Sequence, residues 1–207
     1  ARSFDTQQGR DGVRVPTLAQ VFERVQALGA GGVRFNIETK LHPGQPGDTV
    51  APDAMVQALL QVVRQAGMQE RVTIQSFDWR TLRSVQQLAP GLPTACLTVR
   101  TANNDNVRDG DWTAGLRLAD HGGSVPRLVK AAGCTTWSPN GGAVTEALVK
   151  EAQALGLQVI PWTINSPADM ERLAGWGVDG IITDHPDRLR EVLGRRGVAL
   201  PAPVTAR

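Results

Sequence analysis

Strand-like and helix-like segments alternate along nearly the whole chain of 207 residues. Short runs rich in β-branched residues, such as "RVTIQSFD" and "LQVIPWTIN", are followed by amphipathic stretches that end at proline or glycine. Neighbouring parallel strands need a crossover connection, usually a helix, so the alternation predicts a parallel sheet covered by helices. The short, even repeat seen in "ALGLQVIPWTIN" and "GWGVDGIITDHP" favours a (β/α) barrel, and no GxGxxG motif follows the first strand.

The number of strands is too small for a complete barrel. Six strand patterns are present, and a loop and a helix precede the first of them, "VRFNIETK". An eight-stranded barrel usually takes about 250 residues, and six parallel strands would leave two open edges. We therefore expect an α/β fold of the (β/α)8 TIM-barrel type that lacks about the first two βα units. Residues 1–200 would form this single partial domain, and the tail, residues 201–207, would be frayed.

Charge and hydropathy exclude several classes of function. The 22 Lys and Arg residues nearly balance the 20 Asp and Glu residues, and no long basic run is present, so we expect no nucleic-acid partner. No apolar run is long enough for a transmembrane helix, and the N-terminal stretch lacks the apolar core of a signal peptide. Cys96 and Cys134 show no CxxC or metal-ligand spacing, so we expect free thiols packed on strands, which leaves the redox compartment open.

The stretch "RFNIETK" places polar residues on one face of a strand. If Phe35 and Ile37 face the helices, then Asn36, Glu38 and Lys40 point into the barrel, and active sites lie at the carboxyl ends of barrel strands. Three interpretations remain open. Glu38 and Lys40 could form an ion pair that fixes the strand end, or they could bind a divalent cation and a phosphate oxygen, respectively. Lys40 could also form a Schiff base, which its carboxylate neighbour disfavours by stabilising the charged ammonium.

Other strand ends carry further candidates. Phe77 and Trp162 could wall a pocket for a glycerol-like ligand, or they could pack in the core. Asp78 and Asp184 each stand just before a helix and are predicted to be N-caps, and Asn165 is predicted to lie in a turn or cap.

The three histidines, His42, His121 and His185, stand at neither metal-ligand nor dyad spacing. We therefore predict ordinary loop histidines at all three positions. No Ser-His-Asp order and no GxSxG elbow are present.

The segments "FNIETK", "QSFDW" and "VIPWTINSPADMERLAGWGVDGIITDHPDRLREVL" together resemble the glycerophosphodiester phosphodiesterase family, over about residues 15 to 193. The resemblance implies a barrel and a divalent cation, Mg²⁺ or Ca²⁺. It also implies a phosphoric diester hydrolase that converts small glycerophosphodiesters to glycerol 3-phosphate and an alcohol. By position, Glu38 matches a metal carboxylate and Lys40 matches a lysine that contacts the phosphate. Phe77 and Trp162 match aromatic residues that line the substrate cleft.

Several motifs of the family have no counterpart in this sequence. The family carries a His-Arg-Gly motif and a glutamate on its first strand, and a Glu-x-Asp motif followed by a second catalytic histidine on its second strand. Their absence agrees with the strand count. We therefore assign no catalytic residue in this chain, and we predict that the chain by itself is inactive.

Alternatives to this function remain. The chain could be a degenerate barrel that binds a ligand or partner without turnover, a lysine-dependent aldolase-like barrel, or a lipid-directed phospholipase D of the same superfamily. Relatives that share "WTAG" and "GGSVPRLVKAAG" resemble exported bacterial enzymes, so we expect a periplasmic or secreted protein, with the cytoplasm as the alternative. Residues 100–125 follow a strand end and are expected to lie over the barrel mouth, where they would shape the alcohol side of the pocket.

Overall fold

A computed structural model describes residues 9–202 and 204. The helices are α1 Leu18–Ala27, α2 Pro52–Gln65, α3 Trp79–Leu88, α4 Val125–Ala131, α5 Glu146–Ala154, α6 Pro167–Gly175 and α7 Pro186–Arg195. The strands are β1 Phe35–Glu38, β2 Val72–Ser76, β3 Thr94–Thr98, β4 Thr136–Pro139 and β5 Gln158–Val159. Within the described part of the chain, no helix is both long and apolar enough to cross a membrane. The predicted frayed tail falls partly on residues 203 and 205–207, which lie outside the described residues.

The five strands form one parallel sheet in the order β1-β2-β3-β4-β5. Each strand from β1 to β4 pairs with the strand that follows it in the chain, and the crossover between each pair contains a helix. The predicted parallel α/β architecture is therefore present.

The sixth strand pattern does not become a regular strand. The backbone nitrogens of Asp179 and Ile182 donate to the carbonyl oxygens of Val159 and Pro161, both at 2.9 Å. The segment therefore runs beside β5 as expected. Its two donors are three positions apart, whereas their acceptors are two positions apart, so an extra residue interrupts the ladder in the manner of a bulge.

The two faces of the sheet differ in chemistry, as the alternation in "RFNIETK" predicts. On the helix side, Phe35 meets Phe22 of α1 edge-on, with ring centroids 4.9 Å apart. On the other face, the Nδ2 atom of Asn36 donates to Oε1 of Gln75 on β2 at 2.7 Å. The largest fully buried side chains belong to Trp79, Trp137, Phe22, Leu60, Met68 and Ile74.

A disulfide bond links Cys96 on β3 to Cys134, which lies two residues before β4. The Cα atoms are 6.0 Å apart, and both residues are buried. The expectation of two free thiols is therefore wrong. The pairing arises because β3 and β4 are neighbours in the sheet, with Cys96 opposite Trp137. Cysteine spacing along the sequence carries no information about that register.

Candidate active site

A cavity of about 350 Å³ opens at the carboxyl ends of β1, β2 and β3. Active sites of barrel-type α/β proteins lie at this end of the strands. The structure brings three of the four predicted site residues to its walls: Glu38, Lys40 and Phe77. The other lining residues come mainly from the loops after β1 and β3: Thr39, Leu41, His42, Asp48, Thr49, Val99, Asn104, Asn106 and Trp112.

Glu38 and Lys40 form an ion pair at the end of β1, with 3.0 Å between Nζ and Oε1. The Lys40 side chain is 79% exposed, whereas that of Glu38 is 26% exposed. An ion pair so open to solvent contributes little to stability. The ammonium is therefore oriented by one carboxylate and remains accessible to an anion in the cavity.

Trp162, the fourth predicted site residue, stands behind Phe77 and is not part of the cavity wall itself. Their rings meet edge-on, with centroids 5.4 Å apart. The indole Nε1 of Trp162 donates to the carbonyl oxygen of Ser138 at 2.9 Å, and the backbone nitrogen of Gly141 donates to the carbonyl oxygen of Trp162 at 2.7 Å. These contacts hold the indole as a fixed support for Phe77.

The long loop after β3 is bonded to the strand ends around the cavity. Asn106 is buried, and its Nδ2 donates to the carbonyl oxygen of Leu97 at 3.1 Å. The backbone nitrogen of Trp79, at the start of α3, donates to the carbonyl oxygen of Trp112 at 2.8 Å. These bonds place Trp112 beside the cavity, within the segment for which a position over the barrel mouth is predicted.

Sequence reasoning missed Trp112, Asn106 and His42. A lone tryptophan in a long polar loop is a signal that could have identified Trp112, because an indole rarely occurs there without a contact or a ligand. Asn106 stands among other polar residues and carries no comparable signal. His42 was predicted to be an ordinary loop histidine, but its ring lines the cavity and meets the ring of Trp112, with centroids 4.9 Å apart.

Asp78 is confirmed as the N-cap of α3. Its carboxylate accepts from the backbone nitrogen of Arg80 at 3.1 Å and from the Arg80 guanidinium, with Nη2 2.6 Å from Oδ2. This side-chain hydrogen bond to Asp78 raises the pKa of the Arg80 guanidinium. Asp78 is fully buried, so its role is to fix the start of α3 under the cavity.

Asp184 and Asn165 do not cap helices, so the cap predicted at Asp184 is wrong, and of the two alternatives for Asn165, a turn or a cap, the cap is wrong. The Nδ2 atom of Asn165 donates to the Asp184 carboxylate at 2.9 Å, and its Oδ1 accepts from the Asp184 backbone nitrogen at 3.0 Å. The capping side chain of α6 belongs to Ser166, and the N-cap of α7 is His185, which makes no side-chain capping bond. Asn165 and Asp184 satisfy each other because their segments run side by side.

Glu38 is the predicted ligand for a divalent cation. Among residues 9–202 and 204, no group of three or more His, Cys, Asp or Glu side chains is placed to hold a metal ion together. Mg²⁺ and Ca²⁺ take six or more oxygen ligands, including water, and Glu38 is already paired with Lys40. The described residues alone therefore do not fit a complete divalent-cation site.

Comparison with known proteins points to one family. Residues 2–188 match the sequence model of the glycerophosphoryl diester phosphodiesterase family. A glycerophosphodiester phosphodiesterase of Caldanaerobacter subterraneus subsp. tengcongensis is 29% identical over 194 residues, which cover 90% of this chain and 65% of that protein.

Solved structures show the same fold. A Silicibacter pomeroyi protein, assigned as a glycerophosphoryl diester phosphodiesterase, superposes with a TM-score of 0.77 at 34% identity, covering 92% of this chain and 60% of that one. An Oleispira antarctica phosphodiesterase, solved with the product sn-glycerol-3-phosphate, superposes with a TM-score of 0.64 at 18% identity, covering 86% of this chain and 61% of that one. The chain thus spans less than two thirds of the length of each of these three proteins.

The predicted fold class, a barrel-type α/β phosphodiesterase, is confirmed by the parallel sheet and these structural neighbours. Because the family match extends over nearly all of the sequence, the chain belongs to the glycerophosphoryl diester phosphodiesterase family.

Proposed function

We propose that the complete gene product is a phosphoric diester hydrolase that converts glycerophosphodiesters to glycerol 3-phosphate and an alcohol. One observation carries the proposal: an exposed Lys40 ammonium, oriented by Glu38 at 3.0 Å, at the wall of a cavity that also contains Phe77. A positive charge beside an aromatic ring suits a ligand that joins a phosphate to a glycerol. The family match and the product-bound Oleispira antarctica phosphodiesterase support the same substrate class.

The four predicted site residues take distinct roles in this proposal. Lys40 binds an oxygen of the substrate phosphate, and Glu38 orients Lys40. Phe77 packs against the glycerol, with Trp162 as its support. Glu38 would also offer one oxygen to the divalent cation, Mg²⁺ or Ca²⁺, that the family resemblance implies.

The test is cation-dependent release of glycerol 3-phosphate from glycerophosphocholine by the complete gene product after treatment with EDTA. We expect activity to return with Mg²⁺ or Ca²⁺. Lys40→Met, which keeps the length of the side chain but removes its charge, should lower kcat/KM about tenfold or more, because a hydrogen bond to a charged group is lost. Lys130→Met, an exposed lysine on α4, is the matched control and should keep full activity. No release with any cation, or full activity of Lys40→Met, would contradict the proposal.

The 207-residue chain assayed alone should release no glycerol 3-phosphate. The reason lies in its described residues, which bring together no group of three side chains able to hold a metal ion. Release above the rate of a buffer blank, measured under the same cation conditions, would overturn this expectation. Binding of glycerol 3-phosphate by the complete gene product without any turnover would instead favour the degenerate barrel.

We also propose a periplasmic or secreted location. The buried disulfide between Cys96 and Cys134 supports it, because such bonds persist mainly in oxidising compartments. The test is cell fractionation, followed by thiol alkylation of the protein recovered from each fraction. A reduced protein in the cytoplasmic fraction would contradict the proposal.

A further inference from the structure

The imidazole of His42 is exposed, yet it is held on several sides. The backbone nitrogen of Gly44 donates to its Nδ1 at 3.1 Å. The Trp112 ring meets it at an interplanar angle of 75°, with centroids 4.9 Å apart. A Cβ atom at Gly44 would lie 3.3 Å from the Cε1 atom of His42, so the bare glycine leaves room for the ring. The Gly44 N–H, the Trp112 ring and the space at Gly44 together set the orientation of the imidazole.

The backbone of the same loop is also turned tightly. Gln45 donates its backbone N–H to the carbonyl oxygen of His42 at 3.0 Å, and Asp48 donates to the carbonyl oxygen of Gln45 at 3.1 Å. Pro43 and Pro46 limit the backbone angles of these two turns. Main chain and ring are therefore both fixed at the wall of the cavity.

The bond from Gly44 determines the tautomer of His42. A backbone N–H can only donate, so Nδ1 must keep its lone pair, and the proton of the neutral ring lies on Nε2. Among the described residues, the hydrogen bond from Gly44 is the one polar contact found for this ring. The Nε2–H group is thus left to donate to a ligand. It cannot serve as a general acid in this tautomer, because loss of its proton would leave an imidazolate anion.

We propose that His42 contacts the substrate: its Nε2–H donates to an oxygen of the alcohol half of a glycerophosphodiester, and Trp112 packs against that alcohol. The inference rests on the proposed function and refines it. Lys40, two residues earlier, lines the same cavity and would bind the phosphate. Phe77 belongs to the end of β2, whereas His42 and Trp112 belong to the loops after β1 and β3. The glycerol and the alcohol would therefore contact different walls.

The first test uses ¹⁵N NMR of the histidine side chains in the complete gene product, with EDTA present to prevent turnover. The His42 signals are assigned by their loss in His42→Asn. Without ligand, they should show the Nε2–H tautomer. Saturating glycerophosphoinositol, whose alcohol carries free hydroxyl oxygens, should shift the Nε2 resonance, whereas sn-glycerol 3-phosphate, which lacks the alcohol, should shift it much less. Calorimetry under the same conditions reports whether each ligand binds.

The second test compares two variants that disturb the donor differently. His42→Asn keeps a side-chain oxygen for the Gly44 N–H but removes the donor at the Nε2 position. Gly44→Ala keeps the imidazole but displaces it. Both should raise KM for glycerophosphoinositol about three- to tenfold, the effect of losing one hydrogen bond or its alignment. Inhibition by sn-glycerol 3-phosphate should be unchanged. His121→Asn, which alters a histidine outside the cavity, is the control and should behave as wild type.

The outcomes separate the two proposals. Binding and hydrolysis with an unshifted His42 resonance, or wild-type KM in His42→Asn, would overturn the role of His42 and leave the proposed function intact. A rise in KM matched by an equal loss of sn-glycerol 3-phosphate binding would also overturn it, because that result indicates general damage to the site. No binding and no hydrolysis would overturn the proposed function, and the role of His42 with it.

Discussion

The side chain of Asn106 accepts a hydrogen bond from the backbone nitrogen of Val99 through Oδ1, at 2.9 Å. Its Nδ2 donates to the carbonyl oxygen of Leu97 at 3.1 Å, and the residue is only 2% exposed. One carboxamide from the long loop thus satisfies two backbone groups at the end of β3. This bonding attaches the loop to the sheet beside the cavity.

Replacing Asn106 with aspartate should separate its donor role from its acceptor role. The variant can still accept from Val99, but it places a carboxylate oxygen against the carbonyl oxygen of Leu97. We expect the free energy of unfolding to fall by about 2–3 kcal/mol, since a buried carboxylate then faces the carbonyl oxygen of Leu97, which keeps the hydrogen bond from Nε1 of Trp79 at 3.3 Å. Urea denaturation measures the change. Asn104→Asp, at an exposed position in the same loop, is the control, and equal stability of the two variants would contradict the prediction.

The disulfide between Cys96 and Cys134 should contribute strongly to stability. It closes a loop with a sequence separation of 38 residues, and a loop of this size restricts the unfolded chain enough to stabilise the fold by about 2–4 kcal/mol. We expect a reductant to lower the free energy of unfolding by that amount. The Cys96→Ala/Cys134→Ala variant should be insensitive to the reductant. Two titratable thiols in the native protein would show that the bond is absent.

Arg80→Met should destabilise the start of α3. The guanidinium is the charged partner of Asp78, whose side chain has no solvent exposure, and its removal leaves that carboxylate with the backbone N–H of Arg80 as its donor. We expect a loss of about 3 kcal/mol in the free energy of unfolding, in the range found when a buried ion pair loses one partner. Thermal and urea denaturation provide the measurement. Arg83→Met, an exposed arginine on the same helix, should change little, and similar losses in both variants would argue against the pair.

Gly141 should be intolerant of a side chain for one identifiable reason. A Cβ atom at this position would collide with the Cδ1 atom of Ile164, a buried residue two positions after Trp162. Gly141→Ala should therefore cost about 1–3 kcal/mol, as overpacking does.

Ile164→Val removes the colliding methyl group and provides the matched background. In a double-mutant cycle, the cost of Gly141→Ala should fall by about 1 kcal/mol in that background. Additive losses would show that the strain lies elsewhere. The intrinsic tryptophan fluorescence of Gly141→Ala should be measured in both backgrounds, because the backbone nitrogen of Gly141 donates to the carbonyl oxygen of Trp162.

Local patterns are sufficient to predict the strand face and the sheet end that carry the site residues. Alternation in "RFNIETK" assigned Phe35 and Glu38 to opposite faces of β1, because a strand has a side-chain period of two. The strand-helix order assigned Glu38, Lys40 and Phe77 to one end of a parallel sheet, where the cavity lies. Both inferences depend only on residues close together in the chain.

Contacts between distant segments could not be predicted in this way. The disulfide depends on the register of β3 with β4, and the contact of His42 with Trp112 depends on the paths of two loops. Asn165 and Asp184 each precede a helix, so local sequence predicts a turn or cap at the first and a cap at the second, and it does not predict the bond between them. In each case tertiary geometry selects the partner, and no periodicity or residue spacing in a single sequence reports that geometry.

The order of strands in the sheet is also the order in which a ribosome makes them. Each newly made strand can pair with the strand completed just before it. No pairing within this sheet therefore requires a segment that is still to be translated. The disulfide joins two such consecutive units. The fold is thus suited to assembly in one direction, from β1 towards β5.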